Sequence, residues 1–131
     1  MTNPHHFGEL YGKPQSEAEL QVEREVYGAN VGARGYTTVG QADALAEHLA
    51  LRPGMRLLDI GSGRGWPGLY LARRSGCEAV LTDLPPEAPR AALARARRQR
   101  LDRRCSSLMA SGSHLPFRSR TFDAIVHTDV L

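Results

Sequence analysis

The chain has 131 residues, enough for one domain with a modest core. Its hydrophobic content of 41%, without low-complexity tracts or an apolar run of the roughly 18 residues that span a bilayer, argues against a disordered tail or a membrane span and for a soluble globular chain. The net charge of +3 is unevenly spread: residues 1–50 carry three basic and seven acidic side chains, residues 51–131 fourteen and seven.

Met1 to His6 has neither a basic n-region nor an apolar h-region, so no secretory signal is expected. Residues 1–15 read as irregular, broken by Pro4, Gly8, Gly12 and Pro14. Ser16-Glu17-Ala18-Glu19 has the form of a capping box. It predicts a helix to about Tyr27, stopped by Gly28, with Leu20 and Val26 on the core side and Tyr27 at the margin. Gly28 to Gly35 is a glycine-rich loop. Thr38 to Gln41 is a second capping box, opening a helix with Ala42, Leu45, Ala46 and Leu49 on one face. Arg52-Pro53-Gly54 ends it.

From there strands alternate with helices. Arg56 to Ile60 is a short apolar run suited to a buried parallel strand. Pro67 to Ser75 reads as a helix with proline in its first turn, ended by Gly76. Glu78 to Thr82 is a second strand. Pro85, Pro86 and Pro89 lead into an arginine-rich helix ending near Arg100. Cys105 to Ala110 and Phe122 to His127 are a third and a fourth strand. This alternation predicts an α/β fold with a parallel sheet. Cys77 and Cys105 are too few and too plainly spaced for a disulfide framework or zinc site; reduced thiols in a cytoplasmic protein are expected. Lys13 is the only lysine. The arginine bias fits phosphate recognition or, the favoured reading, a GC-rich coding habit.

Leu57-Leu58-Asp59-Ile60-Gly61-Ser62-Gly63-Arg64-Gly65-Trp66-Pro67 is strand, glycine loop, helix start. Such glycines let a ligand lie against the main chain, before a helix end that offers free N–H groups. A structural turn needs one glycine or two; three in alternation after an apolar strand point to a bound nucleotide. A P-loop is rejected, because Trp66-Pro67 stands where lysine and Ser/Thr belong. Gly63-Arg64-Gly65-Trp66-Pro67-Gly68 does spell the dinucleotide pattern, but it begins three residues past the strand. The frame from Gly61 fails at Trp66. Asp83, at the end of the second strand, is placed to accept both hydroxyls of a ribose; the alternative is a solvated aspartate capping the next turn.

The acid-x-G-x-G-x-G of Asp59 to Gly65 resembles the first motif of the Rossmann-like (class I) S-adenosylmethionine-dependent methyltransferases of small-molecule type. Ala79-Val80-Leu81-Thr82-Asp83 is similar to their second. Ser111-Gly112-Ser113-His114-Leu115-Pro116-Phe117 followed by Phe122-Asp123 is similar to their third. The resemblance is strong from Leu57 and weaker from Tyr36. It implies a three-layer α/β sandwich with strand order 3-2-1-4 in this partial sheet, with the N-terminal helices as a flank or lid. It implies S-adenosylmethionine held by Asp59, Gly61, Ser62, Gly63, Gly65, Asp83 and Leu84, with Asp59 near the amino end. Where the family often has an adenine-contacting aspartate, this chain has Ser111, and Gly112 offers a backbone group instead. His127 and Asp129, after the fourth strand, are candidate bases. The alternatives are that His127 only lines the cofactor pocket and that Asp129 starts a helix. Tyr36 is a candidate cover for the cofactor; a core or surface tyrosine is the favoured reading. No metal is expected.

The implied activity is methyl transfer to a small molecule. A non-catalytic cofactor-binding chain is the first alternative. An RNA methyltransferase, suggested by Arg90, Arg95, Arg97, Arg98, Arg100, Arg103 and Arg104, is the second; the absence of the Asn/Asp-Pro-Pro-aromatic tetrapeptide weakens a DNA-modifying role. Residues 1–54 are read as the helical flank and 55–131 as the cofactor-binding half of a domain. The seven strands of the family against four here lead to the expectation of a truncated or split protein. The fourth strand would be an exposed edge open to a second copy or a complementing chain.

Overall fold

The computed structural model describes residues 12–28, 30–32 and 37–128. Residues 1–11 of the expected irregular start, Tyr36 and Asp129 lie outside the described residues. In chain order the elements are α1 (Glu17–Tyr27), α2 (Val39–His48), β1 (Arg56–Ile60), α3 (Gly68–Ser75), β2 (Glu78–Asp83), α4 (Glu87–Arg98), β3 (Cys105–Met109) and β4 (Ala124–His127). The four strands form one parallel sheet in the order β3-β2-β1-β4.

Alternation along the strands sorts the side chains onto two faces. Leu57, Ala79, Cys105 and Ala124 share one row and Leu81 and Val126 lie in the next. All are buried in one core with Ala42, Ala46, Leu69, Leu71, Ala72, Ala92 and Ala96 of α2, α3 and α4. Small residues on the helices let them lie close to the sheet. Ile125 points to the opposite face and is 56% exposed.

Both capping boxes form. Ser16 Oγ accepts from Glu19 N–H at 3.2 Å, and Ser16 N–H donates to Glu19 Oε2 at 2.7 Å. Thr38 and Gln41 do the same at 3.1 and 2.9 Å. The expected core side of α1 is corrected. Val26 is 60% exposed, whereas Glu23 is 4% exposed. The reason is that α1 rests on a polar loop. Glu23 accepts from Val31 N–H at 3.0 Å and from Gln15 Nε2 at 3.2 Å, bonds that valine cannot make. Arg95 of α4 reaches the same segment, donating to Asn30 O at 3.0 Å and Gln15 Oε1 at 3.4 Å. Burial lowers its pKa and Glu23 holds it up.

Other boundaries shift slightly. Pro67 caps α3 instead of opening it. α4 ends at Arg98, with Arg100 at φ 58°. β4 starts at Ala124, because Phe122 turns to meet Phe117 edge-on with ring centres 4.9 Å apart.

The tightest packing is where α3 begins. A Cβ on Gly68 would collide with Leu81 Cδ2 and lie 2.7 Å from Asp59 Oδ2. Gly68→Ala is therefore expected to destabilise the fold by about 2 kcal/mol, the usual scale of overpacking. Urea unfolding measures this, and an unchanged midpoint would contradict the packing argument.

Candidate functional site

The site lies at the carboxyl ends of β1, β2 and β3, the edge where open parallel sheets bind ligands. After β1 the chain turns sharply: Gly61 and Ser62 N–H both donate to Thr82 O, at 2.8 and 3.0 Å, and Gly65 N–H donates to Ser62 O at 2.8 Å. Gly61, Gly63 and Gly65 have φ of 71°, 54° and 100°, a region that disfavours side chains. The alternating glycines are thus required by the turn itself.

The residues between them have a separate task. Ser62 Oγ lies 3.4 Å from Thr82 O. Arg64 donates to Lys13 O at 3.2 Å. Trp66 Nε1 donates to Thr37 O at 3.0 Å, and its ring packs against Tyr27 and Tyr70 at 5.6 and 5.3 Å between centres. Tyr70 in turn donates to Asp43 of α2 at 2.6 Å. The loop therefore fastens the N-terminal helices through its non-glycine side chains. Trp66, which spoils the dinucleotide frame from Gly61, was not foreseen as that anchor. Gly68, the last glycine of the alternate frame, is explained by packing alone.

Asp83 braces the loop from β2. Its Oδ2 accepts from Gly63 N–H at 2.8 Å and its Oδ1 from Leu84 N–H at 2.8 Å. A carboxylate has about four acceptor positions, so each oxygen retains one for a ligand. Partial burial raises its pKa, offset by those two N–H groups. Beside it Leu84 is 47% exposed, an apolar surface at the rim.

Asp59 is fully buried. Its Oδ2 accepts from Gly68 N–H at 2.8 Å, while Oδ1 is buried with no hydrogen-bond partner among the described residues. Burial raises its pKa well above the usual carboxylate value, the Gly68 bond lowers it, and Asp83 raises it further. A cationic group brought near would relieve that cost.

Ser111 and Gly112 follow β3 and lie beside the others: Ala110 N–H donates to Asp83 O at 3.0 Å, and a Cβ on Gly112 would lie 3.1 Å from Ile60 Cγ2. His127 is exposed at the end of β4, paired in register with Ile60. A groove of about 920 Å³ lined by Gln41, Leu45, His48 and Thr128 adjoins it. Among the described residues no group of three or more His, Cys, Asp or Glu is gathered as a metal would need, and no helix is long and apolar enough to cross a membrane. Of the seven arginines that suggested RNA, Arg95 is buried, and Arg104 donates to Ala72 O and Cys77 O at 3.0 and 2.9 Å.

The family model described as a methyltransferase domain matches residues 57–131, the glycine loop included. The chain belongs to this methyltransferase family. A methyltransferase of Streptomyces halstedii, GfsG, is 32% identical over 83 residues, 63% of this chain and 30% of that protein. The ubiquinone/menaquinone biosynthesis C-methyltransferase UbiE of Dinoroseobacter shibae is 37% identical over 82 residues, 62% of this chain and 33% of its own length. The SAM-dependent methyltransferase from Geobacter sulfurreducens, solved in complex with S-adenosyl-L-homocysteine, superposes with a TM-score of 0.64 over 72% of this chain and 38% of that one, at 23% identity. It shows the same fold. The chain spans about a fifth to a third of the length of the curated relatives it matches.

The raised carboxyls give the chain a signed pH response. A carboxyl with a raised folded pKa binds its proton more tightly in the folded state. Its stabilising effect is full below the usual value of 3.8 and is lost as pH rises through the raised value. Relative to Asp59→Asn, the unliganded wild type should lose stability as pH rises above the usual carboxyl value of 3.8. Urea unfolding at stepped pH checks this; two parallel stability profiles would refute it.

Proposed function

We propose that this chain holds S-adenosylmethionine for methyl transfer to a small-molecule acceptor, with residues 55–131 as the cofactor-binding unit and 1–54 as its flank. One observation carries the reading: the Asp83 carboxylate, fixed by Gly63 and Leu84 N–H, stands beside a loop whose glycines leave the main chain bare. That geometry suits a ribose diol on Asp83 with the amino-acid end of the cofactor along Gly61, Ser62, Gly63 and Gly65. The buried Oδ1 of Asp59 fits the cationic character of the same ligand, directly or through water, and Leu84 offers a surface to the base.

When bound, the cofactor supplies an electrophilic methyl on a sulfonium, open to in-line displacement. The chain's contribution is placement. The loop main chain fixes the donor, and the N-terminal helices, held by Arg64 and Trp66, bound one side. His127 is the candidate base or pocket-lining group, since its register with Ile60 sets it beside the loop and the adjoining groove. Asp129 is retained as a second candidate base on sequence grounds.

A small-molecule acceptor is favoured over RNA because Arg95 and Arg104 serve the fold rather than a surface. The name of UbiE, a ubiquinone/menaquinone biosynthesis C-methyltransferase, agrees with a metabolite acceptor. A cytoplasmic, reducing setting fits Cys77 and Cys105, which are buried; burial pushes the Cys105 thiol up to about 11. Ile125 on β4, a strand paired only with β1 among the described residues, favours a further strand docking there, from a second copy or a complementing chain.

Two measurements test these readings. Calorimetry should show binding of S-adenosyl-L-homocysteine and none of NADH, with Asp83→Ala weakening the former ~10-fold or more through the loss of charge-assisted bonds. The reverse preference would overturn the cofactor. Sedimentation should show association that Ile125→Lys reduces; a stable wild-type monomer with a cooperative melt would remove the edge-pairing reading.

A further inference from the structure

The charge of this chain is divided between its two halves, and the cofactor site does not use that division. It surfaces on two neighbouring helices, α1 and α4. On α4 the side chains of Ala88, Ala92, Arg95 and Ala96 are buried. The opposite face exposes Arg90, Ala94, Arg97 and Arg98, and the turn that follows adds Arg100 and Arg103. Among the described residues, none of these five arginine side chains makes a hydrogen bond or an ion pair. From Glu87 to Arg104 the only acids are Glu87 and Asp102.

The outer face of α1 has the opposite character. The helix buries an acid, Glu23, and exposes a row of small apolar residues, Ala18, Val22 and Val26, each one turn from the next. Val22 is 58% exposed. Glu17, Glu19 and Glu25 flank that row and are exposed too. Glu17 is paired with Arg24 at 2.9 Å, whereas Glu25 accepts from the neutral Gln21 at 3.2 Å. Arg95 holds the two helices side by side, because from α4 it reaches Gln15 before α1 and Asn30 after it. With 11 and 12 residues, the helices match in length, about 16 and 18 Å.

We propose that these two faces form a self-association surface, on which the acidic and apolar face of α1 in one copy meets the arginine face of α4 in a second copy, and the reverse. A patch that carries both signs side by side becomes self-complementary when turned about a two-fold axis. Val22 and Val26 would lie on Ala94 and on the alkyl stems of the arginines, which can cover apolar surface while their heads stay wet. Glu25 would face the guanidinium groups. A nucleic acid or an anionic lipid surface suits the arginines alone, but the glutamates of α1 beside them repel it. The faces are small, so a weak, salt-sensitive pair is expected. The surface is separate from the β4 edge, since α4 packs on β2 and β3 at the other end of the sheet. It does not depend on the cofactor reading.

Sedimentation equilibrium on the Ile125→Lys chain, with the β4 edge blocked, isolates this contact. The chain should associate at about 50 mM salt, and its association constant should fall about tenfold or more at about 0.5 M, where exposed charges are screened. Glu25→Arg and Arg97→Glu should each weaken association by a similar factor, because each sets like charges opposite one another twice in the pair. The chain carrying both changes should associate again. Both side chains are exposed, so melting temperatures should stay close to that of the parent. A monomer at every concentration overturns the inference. So does association that ignores salt, or a doubly changed chain that fails to recover it. A monomer that binds a single-stranded RNA oligomer through Arg97 overturns it as well, with a polyanion as the occupant. None of these outcomes bears on the cofactor, which calorimetry decides separately.

Discussion

The contact on which this structure depends is the 2.8 Å bond from Gly68 N–H to Asp59. It joins the first turn of α3 to β1 through a single carboxylate, with no side chain on the helix side. A helix N-terminus carries unpaired N–H groups and a partial positive charge, and a buried carboxylate answers both. The close approach fixes the span of the intervening loop. The loop must then reverse within a few residues, which forces glycine at alternate positions. The strand, the turn and the helix are one mechanical unit, and the ligand-facing main chain is its by-product.

Within that unit the alternating sequence divides two tasks. Glycines leave one side bare. The residues between them reach away and grip other segments, Arg64 the carbonyl of Lys13 and Trp66 that of Thr37. Asp83 works from the neighbouring strand, holding the loop by Gly63 while retaining acceptor capacity. Its two backbone bonds are what make it a rigid platform and not merely a charge at a strand end.

Much of this was legible in the sequence, for identifiable reasons. The two capping boxes and the strand–helix alternation are local patterns, and local physics fixes them. The place of Asp83 follows from strand length. What sequence periodicity missed was partner choice. Val26 and Glu23 are both spaced to face inward, but the surface met by α1 is backbone, so the acid is buried and the valine is not. Trp66 read only as an obstacle in a motif, because its partner is a carbonyl 29 residues earlier. Gly68 read as part of a nucleotide signature, although its neighbours Leu81 and Asp59 explain it.

Trp66 is the only tryptophan in the chain. It is 6% exposed and touches two tyrosine rings. Its indole N–H is bonded to the segment before α2, and its backbone belongs to the loop. The tryptophan fluorescence of the protein therefore originates at one point, the joint between the loop and the N-terminal helices, with two tyrosines near enough to feed it energy. The molecule has a built-in optical gauge of that joint and needs no attached dye.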